Sequence, residues 1–380
     1  MRIAINGRVL IKNQLEGIGY FTREVLRNLV ELYPQHDYLV LFDGPPAEEF
    51  LFPGVEYRVL RPSARHPLLY HFWFEVLVPY HLRSWDAELF LSMDGFTSRH
   101  LKIPVVTAIH DLAYAHYPEM MKGRELGFYK KYQPQFALSS SAVLTVSEYS
   151  KKDIHEKYLL DLDDIFIVYN GSRFEKNPPD PAPDILSDLG LQEGKYFIYT
   201  GSVHPRKNIV RLVKAFEKFS KERMDGYKLV LAGRDAWKTQ ELHQVIGQSP
   251  VKHDIVQTGY VSDRDLWTLL TRAKALCYIS LFEGFGVPVL DALHAGIPVI
   301  GSRSTSIPEV AGNAGLLVDP VDISEIARAM ERMVEDDSLR DRLIREGEQQ
   351  KLKFSWPSTT RRVYEVVSEV YDRHYEGMIG

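Results

Sequence analysis

Glu283 stands just before the loop Gly284-Phe285-Gly286, and a second carboxylate, Asp291, follows eight residues after the first. A glutamate accepts hydrogen bonds from neutral hydroxyls, and glycines let backbone N–H groups approach a ligand with no Cβ in the way. A polyhydroxylated ligand such as a sugar needs that mixture. Pro288 suits a first helical turn, which places Asp291 near a helix start, where an acidic residue also simply complements the dipole. Two adjacent cations, Arg206 and Lys207, precede a second amphipathic run, IVRLVKAFEKFSKE. Cations at a helix N-terminus meet the positive end of its dipole. A phosphate would relieve that conflict, accepting from both side chains and from helix N–H groups. A solvated surface pair is the alternative.

The first half offers less. Gly17 and Gly19 lie in NGRVLIKNQLEGIGYF, between a strand candidate and a helix candidate. They either bring backbone N–H groups to an anion or make a flexible turn. The stretch lacks G-x-G-x-x-G, which argues against a nicotinamide dehydrogenase. His110 and Asp111 follow the apolar run VVTAI. A histidine there can hydrogen-bond a ligand or move a proton, or be a structural residue bonded to backbone. His110 and His116 do not have metal-pair spacing, and no Cys ligand joins them. The single cysteine, Cys277, has apolar neighbours and reads as a buried structural thiol.

These residues need a scaffold. Short apolar runs alternate with longer amphipathic ones: RIAIN, YLVLF, AELFLS, VVTAIH, AVLTVS and IFIVYN, then YFIYTG, KLVLAG, DIVQTG, ALCYIS, PVIGS and GLLVD. Several are too continuously apolar for a one-faced sheet and suit parallel strands covered by helices on both faces. TREVLRNLVELY (22–33) and the 209–222 run carry helical periodicity. Ser306-Ile307-Pro308-Glu309 reads as a capping box, and Ser262 to Asp265 as a looser one. The Pro/Asp-rich stretch KNPPDPAPDILSD is the linker candidate. The expectation is an α/β chain with two doubly wound parallel-sheet domains facing across a cleft, residues 1–176 and 189–356 joined by 177–188. A final helix, about 357–380, is expected to pack back on the first domain. In such sheets ligands sit outside the carboxyl ends of the strands, where all the candidates above fall.

With 380 residues and 45% apolar composition, the chain is long enough for two cores. A net charge of −5 disfavours a nucleic-acid surface. The N-terminus reads as a strand rather than a signal peptide, and no apolar run reaches the ~18 residues of a membrane span. A cytoplasmic protein is expected, with any membrane contact peripheral. Residues 120–136 mix Lys122, Arg124, Lys130 and Lys131 with Phe128, Tyr129 and Tyr132. They suit an anionic lipid-linked acceptor or the inner membrane face, or else a solvated helix with an aromatic core face.

Several stretches in their order carry a resemblance: VVTAIHDLAYAHYP, VLTVSEYSKKDI, IVYNGS, YTGSVHPRKNIVRLVKAF, LVLAGR, VQTGYVSDRDLWTLL and SLFEGFGVPVLDALHAGIPVIGSRSTSIPEVAGNAGLLVDP. Together they resemble glycosyltransferase family 4, the group 1 type, whose members are retaining enzymes of GT-B architecture with two Rossmann-like domains; the resemblance implies that 1–176 is the acceptor-side domain and 189–356 the nucleotide-sugar donor-binding domain. The resemblance implies that Glu283 contacts hydroxyls of the donor sugar and that the Gly284-Phe285-Gly286 backbone touches that sugar. It implies that Asp291 stands where a glutamate binds the ribose, that Arg206 and Lys207 lie near the diphosphate, and that His110 lies near the transferred sugar. Gly17 matches a glycine approaching the diphosphate, and base contacts are expected from the backbone at Gly259, Tyr260 and Val261. Two positions depart from the family: Ser202 replaces a diphosphate arginine, and Asp291 is one methylene shorter than glutamate. The implied activity moves a hexose-like unit from a UDP- or GDP-linked sugar to a carbohydrate or lipid-linked acceptor in polysaccharide or glycoconjugate synthesis. It is expected to need no metal and no cofactor. A nucleotide-sugar epimerase of the same fold, or a non-catalytic nucleotide-sugar-binding subunit, is the alternative.

Overall fold

The computed structural model describes all residues except 13, 14, 16, 65, 66, 122, 183, 222, 224, 237, 238 and 378–380, and leaves out the side chains of 67 and 68. It divides into two compact units: Met1–Asn170 with Trp356–Gly380, and Gly171–Ser355. Each is α/β, built on a parallel sheet.

In the first unit the sheet contains β1 (Arg2–Asn6), β2 (Asp37–Phe42), β3 (Val55–Val59), β4 (Leu89–Ser92), β5 (Val105–Ala108), β6 (Ala142–Thr145) and β7 (Ile165–Ile167). Their order is β3-β2-β1-β4-β5-β6-β7. The central strands β4, β5 and β6 are buried at every residue, as their apolar runs require. Strand β3, VEYRV, is absent from the sequence expectation. It is the edge strand and stays half-exposed, so its alternation of charged and apolar residues carries no buried-strand signal.

The second sheet contains β8 (Tyr196–Thr200), β9 (Lys228–Ala232), β10 (Ile255–Gly259), β11 (Ala275–Tyr278), β12 (Val299–Ser302) and β13 (Gly315–Val318). Their order is β10-β9-β8-β11-β12-β13. In both sheets the first strand of the unit lies beside its fourth, β1 beside β4 and β8 beside β11. The winding reverses there, and the crevice outside that pair is where open α/β sheets bind ligands.

The C-terminal helix Trp356–Glu376 belongs to the first unit and buries Val363, Val366, Val367 and Val370. Tyr364 stacks on Tyr33 with ring centroids 3.5 Å apart, and Trp356 meets Phe21 of the helix Gly17–Leu32. Residues 177–188 lie in the second unit, apart from undescribed Pro183. Asp180 and Pro181 carbonyls accept from Arg264, and the Ala182 N–H donates to Thr268 Oγ1 at 2.7 Å.

One capping expectation needs correction. Ser306 makes no cap bond to its helix. Its hydroxyl donates instead to the carbonyls of Glu283 and Phe285, both at 2.9 Å, because Ser306 is in the helical region (φ −84°, ψ −11°) rather than the extended conformation of a capping residue. Ser262 does cap, accepting from Asp265 N. In the helix Gly123–Ser139, Phe128, Tyr129 and Tyr132 pack against the core, the arrangement of a solvated helix with an aromatic inner face. Lys130 and Lys131 are exposed, and Lys122 lies outside the described residues. No helix among the described residues is long and apolar enough to cross a membrane.

Candidate active site

The loops after β8 and β11 bring three charges together. His204 accepts from Arg206 N and starts a short 3-10 turn, Pro205–Lys207. Asn208 closes that turn in the left-handed region (φ 64°) and begins the helix Ile209–Lys221. Its side chain donates to the Ile279 and Pro320 carbonyls, which fastens the turn to the end of β11. Lys207 Nζ thereby lies 2.7 Å from Glu283 Oε1, and Arg206 Nη1 lies 3.1 Å from Glu283 Oε2. Tyr278 joins them, accepting from Lys207 Nζ at 2.9 Å and donating to Glu283 Oε1 at 2.9 Å. Tyr199 lies parallel to Tyr278 beneath the cluster.

Glu283 is 5% exposed. Burial alone would raise its carboxyl pKa, but Lys207 and Arg206 outweigh burial and lower it from 4.5 to about 2. Burial, with the Glu283 charge beside it, holds Tyr278 well above the ordinary phenol value, so its hydroxyl stays a donor. Two cations face one carboxylate, leaving a single positive charge in excess. The conflict between Arg206-Lys207 and the helix dipole is met here by Glu283 itself.

The glycine loop is set by backbone geometry. Gly286 precedes the helix Val287–His294 at φ 103°, and a Cβ there would lie 2.5 Å from Ile307 Cδ1. Gly284 shares this loop. Phe285 turns inward against Phe354, so only its backbone is available on the loop. Glu283 N donates to Thr305 Oγ1 at 3.1 Å. Asp291 is on the next helix and 1% exposed. Ser172 Oγ donates to its Oδ1 at 2.6 Å and Arg173 Nε lies 3.3 Å from its Oδ2. Burial raises its pKa against the opposing pull of Arg173 and Ser172. A residue merely complementing a helix dipole would be solvated, and Asp291 is not. Ser202 follows Gly201 at the end of β8, where its carbonyl accepts from Tyr199. Gly259 ends β10 at φ 66°, Val261 is half-buried, and the Tyr260 side chain is 80% exposed.

In the first unit His110 follows β5. Its Nε2 donates to the Met93 carbonyl at 3.0 Å and its ring meets Phe21 edge-on. Burial lowers its pKa, which keeps the ring neutral at pH 7. Gly17 opens the helix Gly17–Leu32 with free space where a Cβ would be. At Gly19 a Cβ would lie 3.2 Å from the Val9 carbonyl oxygen and closer still to Leu15, so packing accounts for that glycine.

Two family models match, Glycosyltransferase Family 4 over residues 15–175 and Glycosyl transferases group 1 over residues 183–350. O-antigen chain mannosyltransferase B of Escherichia coli is 30% identical over 366 residues, covering 92% of this chain and 95% of that protein. The chain is a family 4 glycosyltransferase. This glycosyltransferase is also 27% identical to the O-antigen chain mannosyltransferase RfbU of Salmonella typhimurium, over 71% of its own length and 72% of RfbU. Its fold matches sucrose-phosphate synthase of Thermosynechococcus elongatus at TM-score 0.77 and 16% identity, over 98% of this chain and 99% of that one. It matches HepE of Anabaena in complex with UDP at TM-score 0.74 and 18% identity, over 97% and 100%.

Several residues beside the candidate site residues of each unit escape sequence reasoning. Tyr278 hides inside an apolar strand; its only signal is a hydroxyl at the strand's carboxyl end. Thr305, at φ 56°, and Ser306 come from the loop after β12. Ser172 and Arg173 are far from Asp291 in sequence. Asp94, after β4, binds Arg8 through Nε at 3.2 Å and Nη2 at 2.5 Å, and also accepts from Asn6 Nδ2. Among the described residues no group of three or more His, Cys, Asp or Glu is placed to hold a metal ion. What the second unit offers is a buried acceptor for hydroxyls beside an excess positive charge for an anion.

Proposed function

We propose that this glycosyltransferase moves a mannosyl unit from a nucleoside diphosphate sugar to a hydroxyl of a growing polysaccharide, with retention at the anomeric carbon. The observation that carries the reading is the Glu283–Lys207–Arg206 cluster at the point where the second sheet reverses its winding. The similarity to O-antigen chain mannosyltransferases supports mannose as the sugar and a polysaccharide as the acceptor.

As the bond from the anomeric carbon to phosphate breaks, negative charge grows on the leaving diphosphate. Lys207 and Arg206, with the N–H groups of the adjoining helix starts, oppose that charge. Glu283 accepts from sugar hydroxyls and orients the ring rather than attacking it. The leaving phosphate oxygen takes the acceptor's proton on the same face. Donor arrival exchanges part of the Glu283–cation pairing for phosphate and hydroxyl contacts, so the cluster is pre-assembled rather than built on binding. Asp291 is assigned to the ribose together with Ser172, whose hydroxyl already holds the carboxylate.

The test is a thermal-shift screen of GDP- and UDP-linked mannose, glucose and galactose, followed by transfer to a mannan-type acceptor. A donor at a hundred times its Kd raises stability by about 2.7 kcal/mol. Lys207→Ala is expected to lower kcat by about 10²–10³-fold. Wild-type rates in both Lys207→Ala and Glu283→Ala, or isomerised donor formed without acceptor, would overturn the reading.

A further inference from the structure

We infer that Tyr278 is a positioning residue for transfer: its phenol holds the Glu283 carboxylate in place while Lys207 turns from that carboxylate to the leaving diphosphate. This inference rests on the transfer reading above and adds a residue to it.

Tyr278 ends β11, beside β8, where the second sheet reverses its winding. Its Oη, Lys207 Nζ and Glu283 Oε1 form a closed triangle. Lys207 Nζ lies 2.9 Å from the phenol and 2.7 Å from the carboxylate, and the phenol lies 2.9 Å from the carboxylate. The chemistry of the three groups fixes the direction of each bond. An ammonium only donates, and an ionised carboxylate only accepts. The phenol therefore accepts from Lys207 and gives its proton to the bond with Glu283. Burial, with the Glu283 charge beside it, holds the phenol well above its ordinary pKa, so the proton stays on Tyr278.

Donor arrival puts this triangle under competition. Burial opposes the Glu283 charge, and Lys207 and Arg206 overcome it. Phosphate oxygens draw on both cations, more strongly as charge grows on the leaving group. A carboxylate held by those cations alone would be released at the step in which it must orient the sugar. Lysine carries its charge on a flexible four-carbon stem and can follow the phosphate. The phenol cannot follow. Tyr278 is 1% exposed, its ring lies parallel to Tyr199 with centroids 6.1 Å apart, and its edge packs against Gly286 of the glycine loop. Its bond to Oε1 survives the departure of the cation. A phenylalanine would fill the same place in the strand, so the hydroxyl is what the site uses.

Tyr278→Phe in the full chain removes only that hydroxyl. The control is Tyr196→Phe. Tyr196 is also buried, begins β8, and donates to the Leu269 carbonyl at 2.7 Å. Steady-state kinetics with a mannan-type acceptor give one readout. For Tyr278→Phe, kcat is expected to fall by about tenfold, the scale of one hydrogen bond to a charged group, with donor KM unchanged. Activity is expected to fail on the acid side at a higher pH than in wild type. A hydrogen bond to the ionised carboxylate favours that form, so its removal raises the pH at which Glu283 takes up a proton. Of the other ionisable groups facing Glu283, Lys207 and Arg206 remain cations in acid and Tyr199 remains neutral. Tyr196→Phe is expected to lower the melting temperature and leave kcat and the pH profile as they are. The second readout needs no turnover: melting temperature against pH, with and without GDP or UDP. Tyr278→Phe is expected to lose stability at a higher pH than wild type, by a margin that widens with the nucleotide, while Tyr196→Phe runs parallel to wild type. Wild-type kcat in Tyr278→Phe, or acid limbs that coincide with those of wild type, would overturn the role. If wild type transfers no sugar from any donor, the transfer reading fails, and the melting curves still decide whether Tyr278 holds Glu283.

Discussion

Two buried carboxylates of the second unit respond to acid in opposite ways. Glu283 has its pKa lowered to about 2 from an ordinary 4.5, despite burial, by Lys207 and Arg206. Its stabilising contribution is fully present above about pH 4.5 and is lost as pH falls toward 2. Asp291 has its pKa raised above 3.8 by burial. The folded state therefore takes up its proton first, and acidification through that window favours the fold. Glu283→Gln is expected to flatten the acid limb of a melting-temperature-versus-pH curve, and Asp291→Asn to steepen it; identical limbs in all three proteins would refute both assignments. At neutral pH Glu283→Gln also strips two cations of their counter-ion. Breaking a buried pair costs roughly 3–5 kcal/mol. The partial exposure of Arg206 and Lys207, 21% and 12% of their side chains, puts the expectation at the low end. The types and spacing of Glu283, Arg206 and Lys207 are readable along the chain. That Glu283 neutralises those cations is not, because 76 residues separate Lys207 from Glu283.

Loops and helix starts hold the cluster, and their geometry is testable apart from the chemistry. Gly286 sits at φ 103° against Ile307. Gly286→Ala is expected to cost at least the ~1–2 kcal/mol of a left-handed non-glycine residue and to displace Glu283. Activity should fall further than stability, with circular dichroism preserved. A Gly286→Ala enzyme with wild-type kcat would separate the loop from the site. Asn208→Ala removes a residue suited to φ 64° and two side-chain bonds to carbonyls. With about 1 kcal/mol per lost hydrogen bond, the expected loss is about 2–3 kcal/mol in denaturant unfolding. Helix Ile209–Lys221 was legible from periodicity, and most strands from apolar runs. Strand β3 was not, because an edge strand need not be apolar. Nor was the work of Ser306, since a capping pattern reads only local donors while the hydroxyl turned to loop carbonyls more than twenty residues away.

At the scale of the molecule, the last helix completes the first unit although the second unit lies between them in sequence. A chain ending at Ser355 exposes the surface that Trp356, Val363, Val366, Val367 and Val370 cover, each valine being worth about 1.5–3 kcal/mol when fully buried. Calorimetry of that truncation is expected to show the first unit's transition lost or lowered by many degrees while the second unit's transition stays. Both lowered equally would refute the division. The sequence by itself determined the α/β class, the alternation of strands and helices, and the residues with sugar- and phosphate-binding chemistry, because periodicity and residue type are local properties. Tertiary structure alone decided which strands became neighbours. Placing the first strand beside the fourth in each sheet brought Arg206 and Lys207 to Glu283, and Arg8 to Asp94. That order depends on how segments far apart in the chain pack into one open sheet, and no window of sequence contains it.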